Sequence, residues 1–281
     1  MEVISTVAEL KARVADARKA GHTVGLVPTM GALHVGHLSL AKRACAENDF
    51  VVVSVFVNPT QFNNPDDLRT YPRTLDADVE LLKDNTAVSV VFAPTVQEVY
   101  PQPDTRVFSL GPVAEVMEGA HRPGHFNGVC QIVSKLFAYV SPDKAYFGEK
   151  DFQQIAVIRR MVELCDFKLQ IVPCPIVREA DGLAVSSRNT LLTPEHRKAA
   201  PHIHEALEAS KALVGQMSPD QLTKWTADKV DENPLLKTEY YEIVDARTLQ
   251  RVNSWDETDE PHGCITVQAG NVRLIDNISL K

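Results

Sequence analysis

Two histidines three residues apart, His34 and His37, lie in the run Pro28-Thr29-Met30-Gly31-Ala32-Leu33-His34-Val35-Gly36-His37. An apolar stretch, Val24 to Val27, precedes them, and a helical pattern, Leu38 to Cys45, follows. A strand that hands over to a helix there aims both imidazoles and several backbone N–H groups at one point. The N–H groups of a helix start favour an anion. Added imidazole donors suit a phosphate that gains charge during reaction. Gly31 and Gly36 let backbone and ligand come close. Taken alone, two histidines at a helix start also serve as caps or surface residues.

Four further segments carry similar chemistry. Asn58-Pro59-Thr60-Gln61 follows a second apolar run, Phe50 to Val57. Its Asn-Pro turn is ordinary loop chemistry, yet Gln61 offers a donor and an acceptor to a hydroxyl or carboxylate. Arg122-Pro123-Gly124-His125-Phe126-Asn127 opens a helix, either as an anion-contacting lid or as a loop capped by Asn127. In Gly148-Glu149-Lys150-Asp151-Phe152-Gln153-Gln154, Gly148 admits a close ligand and Lys150 reaches a phosphate as a point charge. Asp151 also fits a helix N-cap, with Gln154 three residues on as in a capping box. Finally, Ser186-Ser187-Arg188-Asn189 follows an Ala180-Asp181-Gly182 turn. Hydroxyls with a guanidinium grip a phosphate; a solvated polar loop is the plainer alternative. No Walker A, GxGxxG, HExxH or GxSxG pattern competes. Several phosphate-suited loops in one chain outweigh the plainer reading of each.

Such loops need strand ends to hold them. Strand-like runs at Val24–Pro28, Phe50–Val57, Val88–Ala93, Ala145–Phe147, Lys168–Val172 and Pro175–Val177 are interleaved with helical runs. The helical runs are Gly36–Asn48, Leu75–Asp84, Gly128–Val140 and Asp151–Cys165. Near-continuous apolar strands of this kind belong to a parallel sheet covered on both faces. Alternating β and α predicts an α/β fold, with ligands beyond the carboxyl ends of the strands. After about residue 176 the pattern changes. Helices are expected at Pro194–Val214 and Pro219–Val230. Strands are expected at Glu239–Val244, Cys264–Ala269 and Val272–Ile275, the last two joined by a Gly270-Asn271 turn. The chain therefore divides into a Rossmann-like domain, 1–176, and a smaller α+β domain, 177–281, expected to act as a lid.

Bulk properties narrow the classes. The 281 residues are 44% hydrophobic and 23% charged, which is globular composition, and the net charge of −8 argues against a broad nucleic-acid footprint. Five scattered cysteines without a CxxC pair point to reduced thiols. No apolar run is long enough to cross a membrane. The first residues read as an amphipathic helix rather than a targeting segment. A cytoplasmic protein with neither nucleic-acid nor membrane partner is expected.

The combination of P-T-M-G-A-L-H-x-G-H, F-V-N-P-x-Q-F, G-E-K-D-x-Q-Q and S-S-R-N, in this order, closely resembles the pantothenate synthetase (pantoate–β-alanine ligase) family. H-x-G-H alone indicates only the wider nucleotidylyltransferase superfamily. The resemblance implies a Rossmann-like domain with a small C-terminal domain, a homodimer, and use of ATP and Mg²⁺. It implies that the enzyme condenses pantoate with β-alanine through a pantoyl adenylate, releasing AMP and pyrophosphate. By matching position, Met30, Gly31, Ala32, Leu33, His34, Val35, Gly36 and His37 would line the ATP site. Gly148, Glu149, Lys150, Asp151, Val177, Val185, Ser186, Ser187 and Arg188 would complete it. His37, with His34, Lys150 and Arg188, would carry catalysis. Gln61 and Gln154 would hold pantoate, and Gln61 later β-alanine. Val35 and Val185 depart from the residues common in the family. The segment Tyr71 to Asp78 resembles a region that helps hold Mg²⁺, but Ala77 interrupts its acidic run, so neither Asp76 nor Asp78 is assigned to the metal. A nucleotidylyltransferase that stops after transfer, and a nucleotide-sensing or tRNA-binding module, are the alternatives.

Overall fold

The computed structural model describes all 281 residues. In chain order, its elements begin with β1 (Glu2–Ile4), α1 (Val7–Lys19), β2 (Val24–Thr29), α2 (Val35–Glu47), β3 (Phe50–Val55), α3 (Pro65–Thr70) and α4 (Leu75–Asn85). Then come β4 (Val90–Phe92), α5 (Val96–Val99), α6 (Met117–His121), α7 (His125–Val140), β5 (Lys144–Gly148), α8 (Phe152–Leu164) and β6 (Gln170–Cys174). The last are α9 (Pro194–Ala199), α10 (His202–Lys211), α11 (Pro219–Asp231), β7 (Leu236–Asp245), β8 (Pro261–Ala269) and β9 (Val272–Ser279).

One compact unit takes in Met1–Leu110, Arg122–Glu149 and Val157–Pro175. Its sheet is wholly parallel, in the order β1-β4-β3-β2-β5-β6. Val24, Leu26, Val27, Val51, Val52 and Val53 are all buried, as strands covered on both faces must be. The sheet is therefore of the α/β class the alternating pattern predicts. At its C-terminal end, helix α2 is fastened to β5. Glu47 accepts from Arg43 at 2.9 Å, from Lys144 at 3.0 Å and from Tyr146 at 3.0 Å. These donors hold its carboxyl at about 2. Asn48 bridges the Ala44 carbonyl and the Tyr146 hydroxyl, and it lies so close to β2 that a Cβ on Gly25 would meet its Nδ2 at 2.7 Å. The pinned end of α2 sets where its other end, with the histidines, must sit.

The second unit comprises Gly111–His121, Lys150–Ala156 and Ile176–Lys281. It has an antiparallel sheet, β7-β8-β9. Its core joins Ile203, Leu207, Leu222, Val230, Ile243 and Val267. The α6 residue Glu118 is buried and accepts from both terminal nitrogens of Arg273, at 2.6 and 2.7 Å. It also accepts from Tyr240 at 2.7 Å and Thr266 at 3.1 Å. A buried carboxylate is tolerated where it is paired and hydrogen-bonded in this way.

Several element boundaries differ from the sequence expectations. Strand β1 has only three residues, too short for an alternation signal. The expected strands Lys168–Val172 and Pro175–Val177 are a single strand, Gln170–Cys174. The expected helix Pro194–Val214 is two helices, separated at Ala200-Pro201, where proline has no N–H for the ladder. Helix α7 starts at His125, after Gly124 with φ +82°. Asn127 therefore does not cap it; its side chain accepts from the Phe108 amide at 2.9 Å and donates to the Arg106 carbonyl at 3.0 Å. Asp151 lies in a 3-10 turn, Glu149–Asp151, that runs directly into α8. All five cysteines are free thiols. No helix is long and apolar enough to cross a membrane.

Candidate functional site

Strand β2 ends at Thr29, and its side chain begins the loop by bonding the neighbouring strand. Thr29 Oγ1 donates to the Ser54 carbonyl at 2.6 Å and accepts from the Gly31 amide at 3.1 Å. The chain then takes two successive left-handed conformations, Gly31 at φ +81° and Ala32 at φ +50°. The second is costly for a residue with a Cβ. Asp78 of α4 holds it there. Its carboxylate accepts from the Ala32 amide at 3.0 Å, the Leu33 amide at 2.8 Å and the Thr74 hydroxyl at 3.1 Å. Asp78 is 2% exposed. The amides of Gly31, Ala32 and Leu33 are thus engaged within the protein, by Thr29 and Asp78.

The two histidines hold each other through a reciprocal cap. His34 is the N-cap of α2, extended at φ −142°, and its Nδ1 accepts from the Gly36 amide at 3.2 Å. His37 returns the favour: its Nδ1 accepts from the His34 amide at 3.3 Å. The two rings lie 4.0 Å apart. A nitrogen that accepts a backbone N–H carries no proton, so each neutral ring is protonated at Nε2. Both rings therefore keep an N–H donor on the side opposite the cap. Gly36 is needed for the cap itself, because a Cβ there would meet the His34 ring at 2.9 Å. Val35, the odd residue of the motif, is exposed.

Strand β3 runs parallel beside β2, Val24 opposite Phe50 through Thr29 opposite Val55, so the loops after both strands leave the sheet at the same end. Gln61 confirms the proximity: its Nε2 lies 3.0 Å from Met30 Sδ, and its Oε1 accepts from Asn58 at 3.1 Å. Asn58 is buried and serves as a hub. It donates to the Gly128 carbonyl at 3.0 Å and accepts from Tyr100 at 2.8 Å. Burial pushes the Tyr100 hydroxyl up to about 12. The backbone of Gln61 is fixed from α7. His125 Nδ1 lies 2.7 Å from its carbonyl, and Arg122 bonds both that carbonyl and His125 Nε2, at 3.4 and 3.3 Å. Arginine only donates, so His125 accepts at Nε2 and donates from Nδ1. Of the builders of this half, Tyr100 is not among the residues the sequence singles out, while Asn58, Asp78 and His125 lie in segments that are, without the supporting contacts they make here. Gly148 ends β5, which pairs parallel with β2 on its other side, and Glu149 opens the 3-10 turn that follows. Nothing lies within 4 Å of a Cβ built on Gly148.

The other expected site residues, Lys150, Asp151, Gln154, Val177, Val185, Ser186, Ser187 and Arg188, belong to the second unit. Gln153 and Gln154 part company there. Gln153 is buried and donates to the Val113 and Val116 carbonyls at 2.9 and 2.8 Å, while Gln154 is half-exposed. Residues 177–185 fold into a tight hairpin in which the Val185 amide donates to the Val177 carbonyl at 3.0 Å. Ser186 caps the 3-10 turn Ser187–Leu191 by accepting from the Arg188 amide at 3.3 Å. No group of three or more acidic, histidine or cysteine side chains is placed to hold a metal ion. Asp76 is exposed and Asp78 is committed to its loop.

Comparison with known proteins places this architecture. The model of the family described as pantoate-beta-alanine ligase matches residues 2–279. A pantothenate synthetase of Porphyromonas gingivalis is 60% identical over 99% of both chains, and one of Bacteroides thetaiotaomicron is 57% identical over 100% of this chain and 99% of its own. Among solved structures, the Thermus thermophilus pantothenate synthetase superposes with a TM-score of 0.92 at 45% identity, covering 100% of this chain and 99% of that one. A Francisella tularensis pantoate-beta-alanine ligase, complexed with beta-gamma ATP and beta-alanine, superposes with a TM-score of 0.84 at 34% identity, over 100% and 98%. A parallel sheet whose paired histidine cap and glutamine loop share one end, in a chain matched almost from end to end by these proteins, belongs to the pantoate-beta-alanine ligase family, and the chain is a ligase that joins pantoate to β-alanine.

Proposed function

We propose that the ligation proceeds in two half-reactions driven by ATP. A pantoate carboxylate oxygen attacks the α-phosphorus, the bond to the β-phosphate oxygen breaks, and pyrophosphate leaves a pantoyl adenylate. The amine of β-alanine then attacks the acyl carbon, loses a proton, and AMP departs with pantothenate formed. The observation that carries this reading is the reciprocal cap of His34 and His37. It turns both Nδ1 atoms to the helix backbone and so sets the Nε2–H of each ring on the opposite side, at the N-terminus of α2, where charge grows on phosphoryl oxygens during the first step. Gln61, 3.0 Å from Met30 at the same end of the sheet, is assigned to pantoate and then to β-alanine. The family resemblance assigns Met30 to His37, Gly148 to Asp151, Val177 and Val185 to Arg188 to the nucleotide, with Lys150 and Arg188 opposing its negative charge. Gln154 is assigned to pantoate.

The side chains form no cage for a metal. Mg²⁺ is therefore read as arriving with the nucleotide's phosphates, whose charge it neutralises, as it does where substrate phosphates supply most of its ligands. The family resemblance also points to a homodimer working in the cytoplasm; light scattering of the purified enzyme tests the first.

A mass-resolved assay of ATP, pantoate and β-alanine tests the mechanism. Expected are AMP and pantothenate in equal amounts, and ATP–pyrophosphate exchange that requires pantoate alone. Exchange supported only by a different acceptor would refute it. Removing one preorganised donor of this type costs about 3 kcal/mol of barrier. His37→Ala should therefore lose at least about 100-fold in exchange. A variant with near-normal exchange removes His37 from the role.

A further inference from the structure

The C-terminal residues carry no motif of the family's sequence pattern, yet one strand of their sheet reaches directly to Lys150. Asn277, on β9, is 4% exposed, and its Nδ2 donates to the Lys150 carbonyl at 3.0 Å. Its Oδ1 lies 2.9 Å from Nε2 of His262, on β8. A carbonyl only accepts, so the Nδ2 of Asn277 must face Lys150 and its Oδ1 must face His262. His262 Nε2 is then the donor. The His262 ring also stacks on Phe152, two residues beyond Lys150, with centroids 3.8 Å apart and planes at 4°. Burial pushes His262 below its ordinary titration range, which keeps the ring neutral, as a stacked Nε2–H donor. The register is braced by the preceding residue. Asp276 accepts from the Asn277 amide at 2.8 Å and from both terminal nitrogens of Arg178, at 2.7 and 2.9 Å.

We propose that His262 and Asn277 are positioning residues for Lys150: a one-way chain of hydrogen bonds from His262 through Asn277 to the Lys150 carbonyl, with the His262–Phe152 stack, fixes where the Lys150 ammonium is presented to phosphate. The chain rests on the assignment of Lys150 to the nucleotide under Proposed function. It explains why a segment that opens a helix is anchored by side chains more than a hundred positions away. The main-chain carbonyl is the group held, so the arrangement constrains the Cα from which the flexible lysine stem departs. Displacing a charged group by about 1 Å can cost on the order of 100-fold in rate.

The test is a double-mutant cycle on pantoate-dependent ATP–pyrophosphate exchange, with the full chain. Lys150→Ala keeps the backbone carbonyl and therefore the hydrogen bond from Asn277. Asn277→Ala is expected to lower the exchange kcat at least about 10-fold while KM for β-alanine in the full reaction stays within about 2-fold. In the Lys150→Ala background, the same substitution should have no further effect on kcat. A merely structural role would give the same loss in both backgrounds, because the fold is damaged equally with or without the ammonium, and that result overturns the proposal. His262→Phe keeps the stack on Phe152 and removes only the donor, so it guards against a misfolded Asn277 variant. It should lose about 3- to 10-fold in exchange, again only when Lys150 is present. Full activity in both Asn277→Ala and His262→Phe would also overturn it. A Lys150→Ala enzyme with unchanged exchange would instead remove Lys150 from its assigned role, a separate failure that the single variant reveals.

Discussion

Asp78 offers the sharpest perturbation, because its three hydrogen bonds can be removed in steps. Asp78→Asn keeps one oxygen, which can still accept from Leu33 and from Thr74 where Oδ1 does now. The new amide nitrogen then faces the Ala32 N–H, donor against donor, where Oδ2 accepts at 3.0 Å. A hydrogen bond to a charged acceptor in a buried site is worth about 1.5–3 kcal/mol. The substitution also removes what holds Ala32 at φ +50°, a conformation that costs an L-residue about 1–2 kcal/mol. Relaxation of Ala32 carries His34 and the cap with it. A loss of about 2 kcal/mol corresponds to a Tm fall of roughly 4–8 °C in a chain of this size. If the cap is formed proportionately less often, exchange drops roughly 10- to 30-fold. The matching control is Ala32→Gly, which accepts the left-handed conformation without strain. In the Asp78→Asn background it should restore part of the Tm. Calorimetry and pantoate-dependent exchange on the four proteins measure this. Wild-type Tm and exchange in Asp78→Asn would refute the view that the carboxylate organises the loop.

Two further outcomes follow from contacts elsewhere in the first unit. Gly128 of α7 lies against the turn that carries Gln61. A Cβ there would stand 2.3 Å from the Thr60 carbonyl oxygen and 2.7 Å from Gln61 Cα, both backbone atoms. Gly128→Ala should destabilise by about 1–3 kcal/mol and raise the KM for pantoate, read by denaturant unfolding and initial rates. Asp104, whose side chain is 4% exposed, pairs with Arg106 at 2.6 Å and is held at about 2 against an ordinary 3.8. Its stabilisation is complete above about pH 4 and disappears as pH falls through 2, because below that both folded and unfolded chains hold the proton. With Arg106 half in solvent, about 1–2 kcal/mol is expected. The stability gap between wild type and Asp104→Asn should stay level from pH 7 to 4 and narrow below it; a gap that widens on acidification would contradict the pairing.

The strands that carry the site were legible because they are buried on both faces. Val24 to Val27 and Phe50 to Val53 are apolar runs, and Phe50 to Val55 is broken only by the buried Ser54, a pattern that follows directly from a covered parallel sheet. The placement of His34, His37 and Gln61 at one end of the sheet was legible for the same reason, since the loops after parallel neighbouring strands open at the same end. What held them was not. Asp78 lies in α4, where an acidic residue in the first turn is ordinary helix chemistry. Only the fold shows it buried under the loop 46 residues earlier. Asn127 resembled a cap because the helical pattern reads from Gly128; the helix starts three residues earlier, at His125, after the left-handed Gly124. Asn277 and His262 belong to a hairpin with alternating apolar residues, where a polar side chain on the inner face carries no local signal.

Under the proposed phosphate role, the cap also explains why histidine, and not lysine or arginine, occupies positions 34 and 37. An N-cap side chain must accept from an amide of the first turn. A group that steadies a phosphate must donate. Lysine and arginine only donate, and a serine or aspartate that caps with its single short oxygen group has no second, opposite face from which to reach a ligand. Imidazole separates the two functions across one rigid ring, with Nδ1 toward the helix and Nε2–H away from it. The contact to Gly36 N at 3.2 Å therefore fixes the tautomer, the ring plane and the direction of the donor together. The reciprocal bond from His34 N to His37 does the same for the second ring, one turn on. Replacing His34 with aspartate would preserve the helix while losing the donor. Replacing it with lysine would supply a charge while opening the cap on which His37 depends.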